Sequence, residues 1–332
     1  MVVYLRIMRH SLWLLLALLQ GNPLAGKRLY VDPNSTAKRQ AETLRRSRPQ
    51  DAALIQQIAD RPVARWLGDW VNDIGHEVDA AVSTITRAGA LPVFVAYNIP
   101  GRDCGSYSAG GAHGSDAYRK WIHDFSNGIR GRNAIVVLEP DALAGMDCLG
   151  AQGQQDRLAL LRDAVQSLKA QRAAVYIDAG NAKWKSAETM ASRLKQADVA
   201  AADGFSLNVS NYLTNALSIS YGERVSRLLG GKHFIIDTSR NGRAGVRSKS
   251  GHWCNIEGAG LGERPRASPA PSVDAYFWIK VPGESDGASD PKAASFDAAC
   301  ASEDAAPDAP EAGQFFPAYF LGLVDRANPP VK

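Results

Sequence analysis

Six short runs along the chain concentrate β-branched and aromatic residues: LPVFVAY at 91–97, AIVVLEP at 134–140, AAVYIDAG at 173–180, DGFSLNV at 203–209, KHFIIDT at 232–238 and DAYFWIK at 274–280. Each has the length of a strand. Between several of them lie amphipathic stretches such as QDRLALLRDAVQSLKAQ, in which Leu158, Leu161, Val165 and Leu168 follow the 3/4 spacing of one helix face. Strands alternating with helices predict a parallel sheet covered by helices. Neither a P-loop nor a GxGxxG after a first strand is present, so a barrel is preferred over a doubly wound nucleotide fold. Chemistry in such barrels gathers at the C-terminal ends of the strands. The polar residues stand there: Tyr97, Arg102 and Asp103 after the first run, Glu139 and Asp141 after the second, Asp178 after the third, then Asn208, Asp237, Lys280, Glu284 and Asp286.

Composition adds limits. With 332 residues, 45% of them hydrophobic, and no linker-like segment, the chain reads as one large domain. A formal net charge of +4 comes from scattered Lys and Arg, which argues against a nucleic-acid partner. At the N-terminus, Arg6, Arg9 and His10 precede SLWLLLALL, a basic segment followed by an apolar run too short to span a bilayer. Residues 1–20 are therefore expected to be a signal peptide, and 21–332 an exported domain without a stable membrane span. Four widely spaced cysteines, Cys104, Cys148, Cys254 and Cys300, suit two disulfides, with three connectivities open.

HExxH, a GxSxG elbow and a plausible cysteine nucleophile are all missing, and the six histidines form no ligand-spaced pair. That leaves metal binding by aspartates or proton transfer between carboxyl groups. A magnesium site would usually accompany a phosphate cradle, and none is evident. Proton transfer between carboxyl groups is the chemistry of glycoside hydrolysis, in which one protonated acid serves the leaving oxygen and a carboxylate assists water on the opposite face. An apolar strand end and neighbouring aspartates would raise an acid's pKa, which suits Asp141. Trp66, Trp184 and Trp253, each in a polar, Gly-punctuated neighbourhood, offer flat faces for sugars.

Taken together, YNIPGRDCG (97–105), LEPDAL (138–143), YIDAG (176–180) and WIKVPGESDG (278–287) resemble glycoside hydrolase family 6, the inverting cellulases. The resemblance runs from NPLAGKRLYVDP at Asn22 to the C-terminus, with DTSRNG and HWCN in order. It implies a TIM-like fold, a distorted and incomplete parallel β/α barrel of about seven strands. It also implies that Asp141 is the general acid, that Asp103 supports the acid and the water, and that Asp286 matches the proposed base. Tyr97 and Arg102 match residues around the distorted sugar, and Asp178, Lys280 and Glu284 match polar cleft residues. Trp66, Trp184 and Trp253 match sugar platforms, and Asn208 a substrate hydrogen-bonding position. Glu139 is read as structural, because Asp141 already fills the acid role. The family's bridges imply the pairs Cys104–Cys148 and Cys254–Cys300.

Two departures stand out. Asn181 stands where the family usually has His after DAG, which implies altered hydrogen bonding around Asp178, and Ala187 stands where cellobiohydrolases carry a further Trp, which with the short loops between Asp103 and Cys148 favours an open cleft and an endo cut. The acidic Ala/Pro segment at 285–313 resembles instead a cellobiohydrolase's roofing loop. The expectation is a secreted, monomeric, metal- and cofactor-independent endo-β-1,4-glucanase whose partner is cellulose or a related β-glucan. A cellobiohydrolase is the alternative, and a β-glucan-binding protein without activity the rival of another class.

Overall fold

In the computed structural model, residues 21–102, 110–244, 246 and 253–331 are described. The expected signal peptide, Asp103 and Cys104 lie outside them. Eight strands form one sheet: β1 (Arg65–Gly68), β2 (Val93–Tyr97), β3 (Ala134–Leu138), β4 (Ala173–Asp178), β5 (Gly204–Leu207), β6 (His233–Asp237), β7 (Arg266–Ala270) and β8 (Val273–Phe277). Their order is β1-β2-β3-β4-β5-β6-β8-β7, and every pairing is parallel except that of β7 with β8. The parallel strands number seven, as the resemblance implied. All six predicted runs contain a strand. Two strands were not foreseen: β7 is the antiparallel arm of a hairpin, and β1 is four residues long with an exposed start, too short to show a hydrophobic period.

The helices that cover the sheet are α1 (Thr36–Leu44), α2 (Pro49–Ala59), α3 (Ile74–Arg87), α4 (Ser115–Ile129), α5 (Ala151–Ala170), α6 (Ala187–Gln196), α7 (Asn215–Leu228) and α8 (Pro317–Asp325). In α5 the predicted stripe is the buried one, with Leu158, Leu161, Val165 and Leu168 all inside. Truncating Leu161 to alanine would cost about 2–5 kcal/mol. Local start signals are also in place. Asp73, Ser186 and Thr214 cap α3, α6 and α7 by accepting the backbone N–H of His76, Thr189 and Leu217, which satisfies donors a helix start leaves unpaired.

Alternation along the strands divides the core. Val93, Val95, Tyr97, Ile135, Val137, Tyr176, Ile235, Ala275 and Phe277 fill one side of the curled sheet. Phe94, Ala96, Val136, Leu138, Val175, Phe205 and Phe234 pack outward with α3, α4 and α5, as a sheet buried on both faces requires. Among the described residues no β-ladder joins the two edges of the sheet. Two single bonds connect β1 to the exit of β8 instead: the Ala64 N–H donates to Trp278 O at 3.0 Å, and Trp66 Nε1 to Ile279 O at 2.8 Å. The barrel is therefore incomplete, and its rim opens into a cleft.

The acidic Ala/Pro segment is folded onto the body. Isolated bridges join Ile256 to Ala305 and Glu284 to Phe315, and the Cys254–Cys300 disulfide forms as the resemblance implied. Cys148 is described, but Cys104 is not, so the expected Cys104–Cys148 pair lies outside the described residues. No described helix is long and apolar enough to cross a membrane.

Candidate active site

A cavity of about 1960 Å³ lies over the C-terminal strand ends. Trp66, Tyr97, Arg102, Asp141, Trp184, Trp253, Lys280, Glu284 and Asp286 all line it.

The turn after β3 explains why two carboxylates flank a proline. Glu139 and Asp141 both have positive φ, 49° and 71°, a region that non-glycine residues enter at a cost and that clusters at functional sites. The reversal sends the two side chains to different places. Glu139 is wholly buried and accepts the N–H groups of Asn98 at 2.9 Å and Ile99 at 2.9 Å, locking the exit of β2 to that of β3. Burial pushes its carboxyl up to about 7, against the pull of those two N–H donors. Asp141 faces the cleft. Arg157, buried on α5, donates to the carbonyls of Ala142, Pro100 and Gly101, so one guanidinium joins the turn after β3 to the loop after β2.

Asp178 ends β4 beneath that turn and is 1% exposed. It accepts the backbone N–H of Asp141 at 3.1 Å and of Gly180 at 2.9 Å, and the Ser206 hydroxyl at 3.0 Å. Burial raises its pKa, and the nearby Asp237 raises it further. Asp178 therefore positions Asp141 through its backbone. Asp237, also buried, accepts the N–H groups of Ser210, Ser239, Ile279 and Lys280 and ties the exits of β5, β6 and β8.

Asn208, expected at a substrate hydrogen-bonding position, is fully buried, with its amide donating to Asp237 O at 2.9 Å and its oxygen accepting from Leu213 N. Both ends of the side chain hold backbone, and a left-handed φ of 65° turns the chain there. Asn181, the departure from the family's His, is 4% exposed but belongs to the cavity lining, its Oδ1 accepting from Lys183 N at 2.9 Å.

Asp286 sits in an ion cluster: Arg240 Nη1 at 2.5 Å, Lys280 Nζ at 2.9 Å, and the Asn255 N–H at 2.9 Å. Burial works to raise its pKa, but the two cations prevail and bring it down to about 2. Such an anion is a poor proton acceptor. Glu284 accepts the Thr36 hydroxyl at 3.0 Å, and burial raises its pKa.

Tyr97 and Arg102 form a stack, with the guanidinium 4.4 Å from the Tyr97 ring. Arg102 also donates to the Tyr97 carbonyl at 2.9 Å and pairs with Asp69 at 3.2 Å. Asp69 accepts Gly111 N–H as well. Asp69 and Arg240 were missed from the sequence. Asp69 follows β1, which leaves no period in the sequence, and Arg240 lies inside DTSRNG, 46 residues from the carboxylate it pairs with.

Of the three tryptophans expected to be platforms, Trp184 is 41% exposed, while Trp66 and Trp253 are half-buried. The Trp66 ring meets Tyr97 edge-on at 5.2 Å. Trp253 packs beside the Cys254–Cys300 bridge and its carbonyl accepts the Tyr212 hydroxyl.

The profile of the glycosyl hydrolases family 6 matches residues 24–327. The chain belongs to that family. Among its family 6 relatives, Endoglucanase A of Cellulomonas fimi is 47% identical over 264 residues, covering 78% of this chain and 56% of that protein; the chain thus spans little more than half of that relative. Exoglucanase-6A of Humicola insolens is 33% identical, covering 93% of this chain and 75% of that one. Among solved family 6 structures, the endoglucanase Cel6 from Mycobacterium tuberculosis, in complex with methyl-cellobiosyl-4-deoxy-4-thio-β-D-cellobioside, superposes with a TM-score of 0.81 at 41% identity. It covers 92% of this chain and 99% of that one.

Proposed function

We propose that the protein is a secreted, inverting β-1,4-glucanase that cuts internal bonds of cellulose and related β-glucans. The observation that carries this reading is the strained turn after β3, which buries Glu139 as a brace and directs Asp141 into an aromatic-lined cleft. Asp141 donates its proton to the glycosidic oxygen as that bond breaks. A water adds to the anomeric carbon from the opposite face, giving inversion. With its pKa near 2, Asp286 is assigned the role of a fixed anion that offsets the positive charge developing on the sugar, and the water's proton is assigned to a route through Asp103. Glucan recognition rests on Trp66, Trp184 and Trp253 for sugar faces, and on Lys280 and Glu284 for hydroxyls.

Endo action is supported by the higher identity to proteins named endoglucanases, and by Ala187, which is buried at the first position of α6 and presents no distal platform. Cellobiose release from chain ends is the second reading, supported by the folded 285–313 segment beside the cleft, where Ser295, Asp297 and Gly313 belong to its lining.

The test is reducing-end release from carboxymethylcellulose and barley β-glucan. The wild type is expected to release reducing ends, and Asp141→Ala to lose at least about 10²-fold of that rate, the scale of a lost general acid. Equal rates for the two proteins would refute the assignment, as would glucan binding with no release by either.

A further inference from the structure

We propose that Trp70 is an additional glucan platform, at the rim beyond Tyr97 and Arg102; this rests on the glucanase reading above. Trp70 follows β1, lines the same cavity as Asp141, and is 55% exposed, the most open large hydrophobic side chain among the described residues. An indole that open forfeits much of the burial that usually pays for a tryptophan's place in a fold.

The ring is nevertheless held from behind. It lies over Gly68, where a β-carbon would stand 2.4 Å from the ring and 2.6 Å from the Tyr97 carbonyl oxygen, so the close approach depends on the glycine. The Arg102 guanidinium is 5.7 Å from the Trp70 ring centroid and 4.4 Å from that of Tyr97, placing one cation against both rings. Arg102 is itself fixed by Asp69 and the Tyr97 carbonyl. A rigid aromatic side chain with a free area and little entropy left to lose suits a sugar's apolar face, which also needs flat contact and no buried partner.

Its place in the rim gives it a separate part of the chain to bind. The strand order puts Trp70 after β1, Asp141 after β3 and Trp184 after β4. Trp70 and Trp184 therefore flank the acid from opposite sides, with Trp70 about 10 Å away by strand spacing. The ligand is a β-1,4-linked glucan long enough to extend past the sugar at Tyr97.

The test compares Trp70→Ala and Trp70→Phe with wild type in two readouts. One is KM and kcat on barley β-glucan and on cello-oligosaccharides of increasing length; the other is retardation in gels containing barley β-glucan, which does not depend on catalysis. The alanine variant should raise KM for the polymer by about tenfold, the equivalent of about 1.4 kcal/mol, with kcat changed less than twofold, little effect on the shortest oligosaccharide cleaved, and weaker gel retardation. Phenylalanine should restore most of the loss. Wild-type KM and retardation in the alanine variant would overturn the proposal. A fall in kcat at every substrate length that phenylalanine does not mend would also overturn it, assigning Trp70 to the support of Arg102. Wild type that neither cleaves nor is retarded would instead reject the glucanase reading itself.

Discussion

Glu139 and Asp286 are buried carboxylates driven in opposite directions, and each makes the stability of the fold depend on pH with its own sign. Glu139 has a folded pKa of about 7, above its ordinary 4.5. Between those values the folded chain binds more protons than the unfolded one, so the contribution of Glu139 to stability is present below about 4.5 and lost as pH rises towards 7. Glu139→Gln should flatten the change in urea midpoint between pH 4.5 and 7; an unchanged slope would contradict the assignment. For Asp286, brought down from 3.8 to about 2, the contribution is present above 3.8 and lost as pH falls through about 2. Asp286→Asn leaves Arg240 buried at 1% side-chain exposure without its carboxylate, and should cost about 3 kcal/mol at neutral pH, read from urea denaturation. A loss under about 0.5 kcal/mol would mean that Lys280 and the surrounding polar groups do not form the cluster described. At this scale the sequence located the carboxylates, but neither the strain of the turn that carries Glu139 and Asp141 nor their partners. Arg240 lies 46 residues from Asp286, and the two backbone contacts that hold Asn208 reach Asp237 and Leu213. No local period encodes such pairings.

Elements carry the cleft's edges, and two ties between loops can be tested. The Cys254–Cys300 bond closes a 46-residue separation beside Trp253. Replacing both cysteines by serine should cost about 4 kcal/mol on chain-entropy grounds, and calorimetry before and after the exchange checks it. On the other bank, Asp147 pairs with Lys185 at 2.5 Å and also with Arg193, whose Nη1 donates to Leu143 O at 2.6 Å. The acid turn is thereby fastened to the loop carrying Trp184. Being half exposed, Asp147 should contribute less than about 1 kcal/mol to stability, yet Asp147→Ala should raise KM for β-glucan severalfold by loosening the platform. An unchanged KM would separate the tie from binding. The strands and α5 were legible because a parallel sheet buried on both faces writes continuous apolar runs, and a covering helix writes a 3/4 stripe. β1 was not, because four residues ending in Gly68 record no period, and with β1 went Asp69 and Trp70.

For the whole molecule, the seven parallel strands and the weak closure between β1 and β8 leave an open rim, and the folded 285–313 segment supplies part of the cavity lining. An endo cut predicts that the viscosity of carboxymethylcellulose falls early, while few reducing ends have appeared; cellobiose as the only product, with viscosity maintained, would favour the chain-end reading. Inversion and the role of Asp141 are tested together by proton NMR of cello-oligosaccharide hydrolysis, followed from the first seconds with wild type and Asp141→Ala side by side. The wild type should release the α-anomer first, and the alanine variant should be nearly silent. Initial release of the β-anomer would contradict inversion, and comparable hydrolysis by the variant would contradict the role of Asp141.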